Sequence, residues 1–246
     1  MDKVNSSMKE IRDFKKSFTL IELLLALSLF SLIALTVYNV FFSGMRLNAR
    51  SESVNKIYRE ARWTLDQIAK ELENFTTYDL SASYPDLDTF VGKDKEIQFI
   101  LAAPTGLKVV RYTLQSPTVE KIHKTIIGKR TSKLSSFVVN KEEKEEKVNV
   151  FIREEMPLVD YLSANGVFEG PIEILSAQVK KDGLKFFFAD RSVKDSNTIE
   201  WKTSWGQPYL PLGIRVELIF YNTGDKSYAE FHRDIINFKG LSFKTG

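Results

Sequence analysis

The sequence predicts an α+β protein in which a long N-terminal transmembrane/amphipathic helix packs against an antiparallel β-sheet. Three observations carry that expectation. From Leu23 to Met45 the chain has 23 consecutive residues without a charge, enough at about 1.5 Å per residue to cross about 30 Å of hydrocarbon. Behind this run, apolar residues keep recurring at helical spacing as far as about Phe75. Past Thr76 the composition changes to short runs rich in β-branched and aromatic residues, punctuated by turn signals.

The apolar stretch opens on an anomaly. In Ser17-Phe-Thr-Leu-Ile-Glu22-Leu-Leu-Leu-Ala-Leu27 a single carboxylate stands just inside a membrane-length run. An unanswered charge in hydrocarbon costs about 2.5–3.5 kcal/mol or more, so Glu22 needs a partner. Residues 1–17 ahead of it carry five basic and three acidic side chains. A secretory signal has an apolar core of about 7–15 residues ending at a small-residue cleavage site. Here the run is longer, and Tyr38–Ser43 at its far end offers no Ala-x-Ala, so the segment is expected to stay in the product. Lys3, Lys9, Arg12, Lys15 and Lys16 on one flank match Arg46, Arg50, Lys56, Arg59 and Arg62 on the other, so basic residues alone leave the orientation open.

Val54, Ile57, Tyr58, Ala61, Leu65, Ile68 and Leu72 fall at spacings of three and four and define one apolar face. Arg59, Glu60, Arg62, Asp66, Gln67, Lys70, Glu71 and Glu73 sit between them on the wet side. With no proline or glycine between Gly44 and Phe75, one helix from about Phe18 to about Phe75 is expected, roughly 85 Å long. A break near Gly44 into two helices is the alternative. Trp63 lies off the apolar stripe and is expected in the core or against the sheet edge. The chain thus divides into a leader (1–17), a transmembrane half-helix (18–45), an amphipathic half-helix (46–75) and a β-rich head (76–246).

Within the head, Tyr78–Asp88 reads as a loop. Strands are expected at Glu96–Ala102, at Leu107–Leu114 after the Pro104-Thr-Gly106 turn, at Val119–Ile127, at Phe137–Val139, and at Val148–Arg153 beyond the charged Lys141–Lys147 turn. Ile174–Val179 and Leu184–Ala189 flank Lys180-Lys-Asp-Gly183, which reads as a hairpin turn. Gly213–Tyr221 and Tyr228–Phe238 flank a second turn at Asn222–Lys226, and Met156–Asn165 suggests a short helix.

Composition narrows the chemistry. Beyond residue 17 the chain has 30 basic and 29 acidic residues, a balance that argues against a phosphate-tracking surface and against nucleic acid as the partner. There is no cysteine, and His123 and His232 are the only histidines, so neither a thiolate site nor a structural zinc site is expected. The sequence lacks Gly-x-Ser-x-Gly, a Gly-rich phosphate loop and His-Glu-x-x-His. Asp190 with Trp201 and Trp205 has the composition of a carbohydrate site, but glycosidase chemistry needs two carboxylates at a controlled distance, and nothing selects a second. The tryptophans are expected in the core or an interface. His232 falls on the strand face opposite Ala229, Phe231, Arg233 and Ile235 and is expected at the surface. No catalytic residue or cofactor is expected and no metal site is assigned; scattered Asp and Glu in loops leave calcium open, although no Asp-rich loop of binding periodicity occurs.

Lys15-Lys-Ser-Phe-Thr-Leu-Ile-Glu22-Leu-Leu-Leu-Ala-Leu27 resembles the processing site of type IV prepilins and of the pseudopilins of type II secretion. That resemblance implies cleavage between Ser17 and Phe18 by a prepilin peptidase, N-methylation of Phe18, and Glu22 as the fifth mature residue. It also implies the pilin-like form of the α+β fold. The family nearly always has glycine before the cut, where this chain has Ser17. In a filament the positive amino terminus of one helix can meet Glu22 of a neighbour, a pair whose breaking costs about 3–5 kcal/mol when buried. Farther on, Leu184-Lys-Phe-Phe-Phe-Ala-Asp190, Ile199-Glu-Trp201, Trp205 and Leu210-Pro-Leu-Gly-Ile-Arg-Val-Glu-Leu218 resemble the minor pseudopilin J component of type II secretion. The implied protein is a non-enzymatic subunit that helps to initiate or cap a pseudopilus. Its implied partners are I-like and K-like minor pseudopilins, the major pseudopilin and an inner-membrane assembly platform. It would be a single-pass inner-membrane protein with a periplasmic head and, before cleavage, a cytoplasmic leader. The W class of minor pilins shares the architecture and implies instead pilus assembly, adhesion or DNA uptake.

Overall fold

The computed structural model describes residues 19–76, 80, 83–84, 87–88, 90–117, 148–191, 198–207, 209–222 and 227–236. The leader with Ser17 and Phe18, most of the Tyr78–Asp88 loop, the expected strands Val119–Ile127 and Phe137–Val139, the Lys141–Lys147 turn, His123, most of the Asn222–Lys226 turn and Phe238 lie outside the described residues. The chain separates into two compact units, Met1–Ala49 and Arg50–Gly246, and helix α1 (Leu20–Glu73) contributes to both.

In the first unit, the described residues are exposed on every side of the helix, including Leu25, Phe30, Leu35 and Phe41. A helix apolar all round suits hydrocarbon rather than a soluble core. The hydroxyls of Ser28, Ser31 and Thr36 donate to the carbonyls of Leu25, Leu27 and Ile33, so these three polar groups are satisfied within the helix.

In the second unit α1 becomes amphipathic. Ile57, Ala61, Thr64, Leu65, Ile68, Ala69 and Leu72 are buried, reproducing the three-and-four spacing of the sequence. Helix α1 ends where the Asn74 side-chain amide donates to the Lys70 carbonyl at 2.7 Å, satisfying one of its otherwise unpaired acceptors. Trp63, expected in the core or at a sheet edge, is instead 51% exposed, because its position off the stripe points it away from the packed face.

Among the described residues the sheet has eight antiparallel strands: β1 (Phe90–Lys93), β2 (Glu96–Ala103), β3 (Gly106–Gln115), β4 (Val148–Pro157), β5 (Ile172–Arg191), β6 (Ile199–Lys202), β7 (Gly213–Asn222) and β8 (Ser227–Ile236). Their order is β1-β2-β3-β4-β5-β7-β8, with β6 on β5. Gly106, at φ +116°, starts β3 directly after the turn. A short helix α2 (Leu158–Ser163) follows β4. One sheet face supplies Phe99, Tyr112, Phe151, Phe186, Phe188 and Phe220 to a core shared with the buried stripe of α1. A smaller cluster of Ile100, Val109, Met156, Leu158, Tyr161 and Phe168 forms around α2.

The sheet curls until its first strand meets its middle. The Trp205 amide donates to the Gly92 carbonyl at 2.8 Å and the Phe186 amide to the Asp94 carbonyl at 2.7 Å. A Cβ at Gly92 would lie 2.6 Å from the Phe188 ring and 2.9 Å from Trp205 Cβ, so this approach requires glycine.

The expected hairpin at Lys180–Gly183 is not formed. Instead β5 runs unbroken from Ile172 to Arg191. The five-residue step from Val179 to Leu184 faces a two-residue step from Phe220 to Leu218, so the surplus is taken up as a bulge with Asp182 at φ +61°. Gly183 fits there because a Cβ would come within 2.7 Å of the Ile219 carbonyl oxygen. Folding back would have paired the two halves of β5 with each other. The extended path pairs the first half with β4 and the second with β6 and β7.

Strand β4 also continues past Arg153 to Pro157. Its charged residues fit because Arg111 pairs with Glu154 and Lys108 with Glu155 across the ladder.

Candidate assembly site

Glu22 lies in the first turn of α1. The Thr19 backbone N–H and hydroxyl both donate to Glu22 Oε2 at 3.1 Å, and the Glu22 N–H donates to Thr19 Oγ1 at 3.3 Å. This is a capping box: the first turn of a helix has N–H groups with no carbonyl to meet, and two side chains answer them reciprocally. The positive end of the helix dipole favours the carboxylate at the same place. Glu22 therefore has a partner within its own chain, while Oε1 takes no part in the box. The signal was legible as Thr-x-x-Glu before an apolar run, but reasoning from the cost of a charge in hydrocarbon looked only for a neighbour. Ser17 and Phe18, the predicted processing residues, lie outside the described residues.

In the head the most connected polar group is Arg153. Its guanidinium contacts Glu71 of α1 at 2.8 Å, Glu155 at 2.7 Å and Glu173 at 3.5 Å. The Tyr112 hydroxyl donates to Glu71 at 2.6 Å. Burial, followed by the Glu71 charge, pushes the Tyr112 hydroxyl well above its ordinary pKa. Burial works against the Arg153 charge, but Glu71 and Glu155 more than offset it and hold Arg153 protonated. This network ties α1 to β3, β4 and β5, which is a structural role.

Asp190 is buried, accepting from Lys202 at 2.6 Å, from the Arg191 amide at 2.8 Å and from the Tyr209 hydroxyl at 3.2 Å. Burial works against its charge, but these donors, Lys202 foremost, leave its carboxyl below the usual carboxylate range. A glycosidase acid needs the opposite shift. Trp205 is buried, its indole N–H donating to the Tyr209 carbonyl at 2.6 Å. Trp201, 37% exposed, covers the guanidinium of Arg215 at 4.6 Å, and Arg215 holds Asp234 through two bonds of 2.6 and 2.9 Å. His232 is exposed. Among the described residues no group of three or more His, Cys, Asp or Glu is placed to hold a metal.

These features define an α+β protein in which, among the described residues, one helix is long and apolar enough, by length and composition, to cross a membrane. A family model described as Prokaryotic N-terminal methylation motif matches residues 12–38, a span that includes Ser17, Phe18 and Glu22. No curated protein and no solved structure matches the chain. The match covers 27 of the 246 residues; behind it a long N-terminal helix packs against a curled antiparallel sheet, an architecture of the pilin-like kind.

Proposed function

We propose that this chain is a minor pseudopilin of a type II secretion system, a non-enzymatic subunit that helps to initiate or cap the pseudopilus tip. The observation that carries the reading is the methylation motif at the start of a membrane-length helix with Glu22 in its first turn. A prepilin peptidase cuts between Ser17 and Phe18, and Phe18 becomes the methylated terminus. The helix then sits in the inner membrane with the head in the periplasm. There the chain joins I-like and K-like minor pseudopilins, the major pseudopilin and the assembly platform. Support for the J-like assignment comes from two resembling segments, Leu184–Asp190 and Leu210–Leu218, which lie side by side where β5 pairs with β7. The alternative, a W-like minor pilin of a type IV pilus, shares the helix and motif. The two separate on whether loss of the chain abolishes secretion of folded proteins or pilus assembly.

Processing is tested by mass spectrometry of membrane-extracted protein. A terminus at methylated Phe18 is expected, and an unmodified Met1 terminus on all of it overturns the reading. The role of Glu22 is tested by comparing Glu22→Gln with Glu22→Ala. Glutamine can still cap the helix but carries no charge. If the amino terminus of a neighbouring subunit pairs with Glu22, both variants insert yet lose co-purification with partner pseudopilins. If capping is the whole role, Glu22→Gln behaves as wild type.

A further inference from the structure

Among the described residues, no strand covers the outer edge of the last strand of the sheet. Strand β8 pairs with β7 through ten consecutive residue pairs, Gly213↔Ile236 to Asn222↔Ser227, with no bulge. No strand among the described residues pairs with its outer side. Exposed edges are ordinarily blunted by charged side chains, proline, bulges or shortness, and of these β8 has only the charges of Glu230, Arg233 and Asp234. Here the ladder is ten residues long, regular and free of proline.

Beside this edge runs the flank of α1. Between the two lies a groove of about 540 Å³. Its floor is apolar: Tyr58 meets Phe231 edge-on at 5.0 Å between ring centres, and Leu65 lines it from below. Its wall on α1 carries Arg59 and Arg62, both exposed, neither with an ion-pair or hydrogen-bond partner in the described structure. One further cation, Arg233, is already paired with Asp66 at 3.1 Å. Side chains alternate along a strand. Phe231 and Arg233 face α1, as their contacts show, so the acidic side chains of Glu230 and Asp234 project to the opposite face of the sheet. Glu230, His232 and Asp66 also line the groove, but Asp66 is taken by Arg233, so its α1 wall presents the guanidinium groups of Arg59 and Arg62 over an aromatic floor.

We propose that the open edge of β8 and the adjoining flank of α1 form a docking groove for an extended acidic segment of a partner protein. The segment adds to the sheet as a further strand. Main-chain hydrogen bonds to β8 supply affinity, and carboxylates at alternate positions, facing α1, meet Arg59 and Arg62. The inference is independent of the secretion reading, since it rests only on the edge and the charges beside it.

The test uses the full-length chain in detergent micelles. Two fluorescent ten-residue peptides serve as probes, one alternating Glu with Val and the other Lys with Val. The Glu peptide is expected to bind, the Lys peptide to bind at least ten-fold more weakly, and bound Glu peptide to slow hydrogen exchange of β8 amides. In R59E/R62E, whose folding is checked by circular dichroism, Glu-peptide affinity should fall ten-fold or more. Lys185→Glu, exposed on the other sheet face, should bind as wild type. Absence of Glu-peptide binding, equal affinity for R59E/R62E, or protection at amides other than β8 overturns the proposal. Peptide-independent self-association that R59E/R62E abolishes also overturns it, by making a second copy the occupant.

Discussion

Replacing Arg153 with alanine is expected to cost about 3 kcal/mol of stability, toward the lower end of the range for breaking a buried ion pair. The arginine side chain is 9% exposed and that of Glu71 16%. Truncation removes the guanidinium bonds to Glu71, at 3.0 and 3.1 Å from Nε and 2.8 Å from Nη2, and leaves that carboxylate facing the core with only the Tyr112 hydroxyl. The residual exposure of Glu71 lets water reach part of the stranded charge, which keeps the loss from the upper end of the range, about 5 kcal/mol. Glu155 loses less, being 31% exposed and also held by Lys108 at 3.3 Å. For a domain of this size a loss of 3 kcal/mol lowers the melting temperature by about 6–12 °C. Thermal melts by circular dichroism and urea titrations by tryptophan fluorescence, both in detergent, measure it. The same reasoning predicts that E71L/R153M/Y112F, which makes the buried part of the network apolar and leaves only the more exposed Glu155 and Glu173, returns to within about 2 kcal/mol of wild type. A single Arg153→Ala variant as stable as wild type would refute the argument. So would a triple variant less stable than the single one.

Three further outcomes are expected. Gly92→Ala should destabilise the head by about 1–3 kcal/mol through overpacking, since its new methyl would press on Phe188 and Trp205; a urea midpoint equal to wild type would count against the tight closure of β1 on β5. Glu60 has its pKa raised by burial, which outweighs its Ser176 hydrogen bond and Lys56, so its ionised form is disfavoured on folding and its contribution to stability falls as pH rises from the unfolded value through the folded one. Glu60→Gln should therefore be more stable than wild type at pH 7, with the gap closing toward pH 4, and parallel melting curves at the two pH values would rule this out. Asp190 has the opposite sign: its lowered pKa means that its contribution is present above the unfolded carboxylate range and lost as pH falls through the folded value, so Asp190→Asn should remove part of the acid sensitivity of melting.

How much was legible in the sequence varied with the range of the forces involved. The long helix was readable because its period depends on neighbours three and four residues away, all present in the local sequence. The strands β2, β3 and β7 were readable for a similar reason, each being a run of suitable composition next to a turn. Strands β1 and β6 were missed. Each has only four residues, too few to show a strand's alternation: β1 forms a short hairpin with β2 and one isolated bridge to Trp205, and β6 pairs with the end of β5.

What the sequence by itself determined is the membrane-length apolar helix, the carboxylate at its start and the α+β plan, because charge, length and periodicity are local quantities. Only the tertiary structure decided that Lys180–Gly183 is a bulge, since Asp-Gly turn propensity is worth less than a continuous ladder that gives β5 partners along its length. Trp63 was likewise settled by packing, as the sheet covers one stripe of α1 and leaves that side chain outside it. The uncovered edge of β8 beside Arg59 and Arg62 was invisible in the sequence. Those arginines and that strand stand about 170 residues apart and line one groove only because the sheet packs against α1.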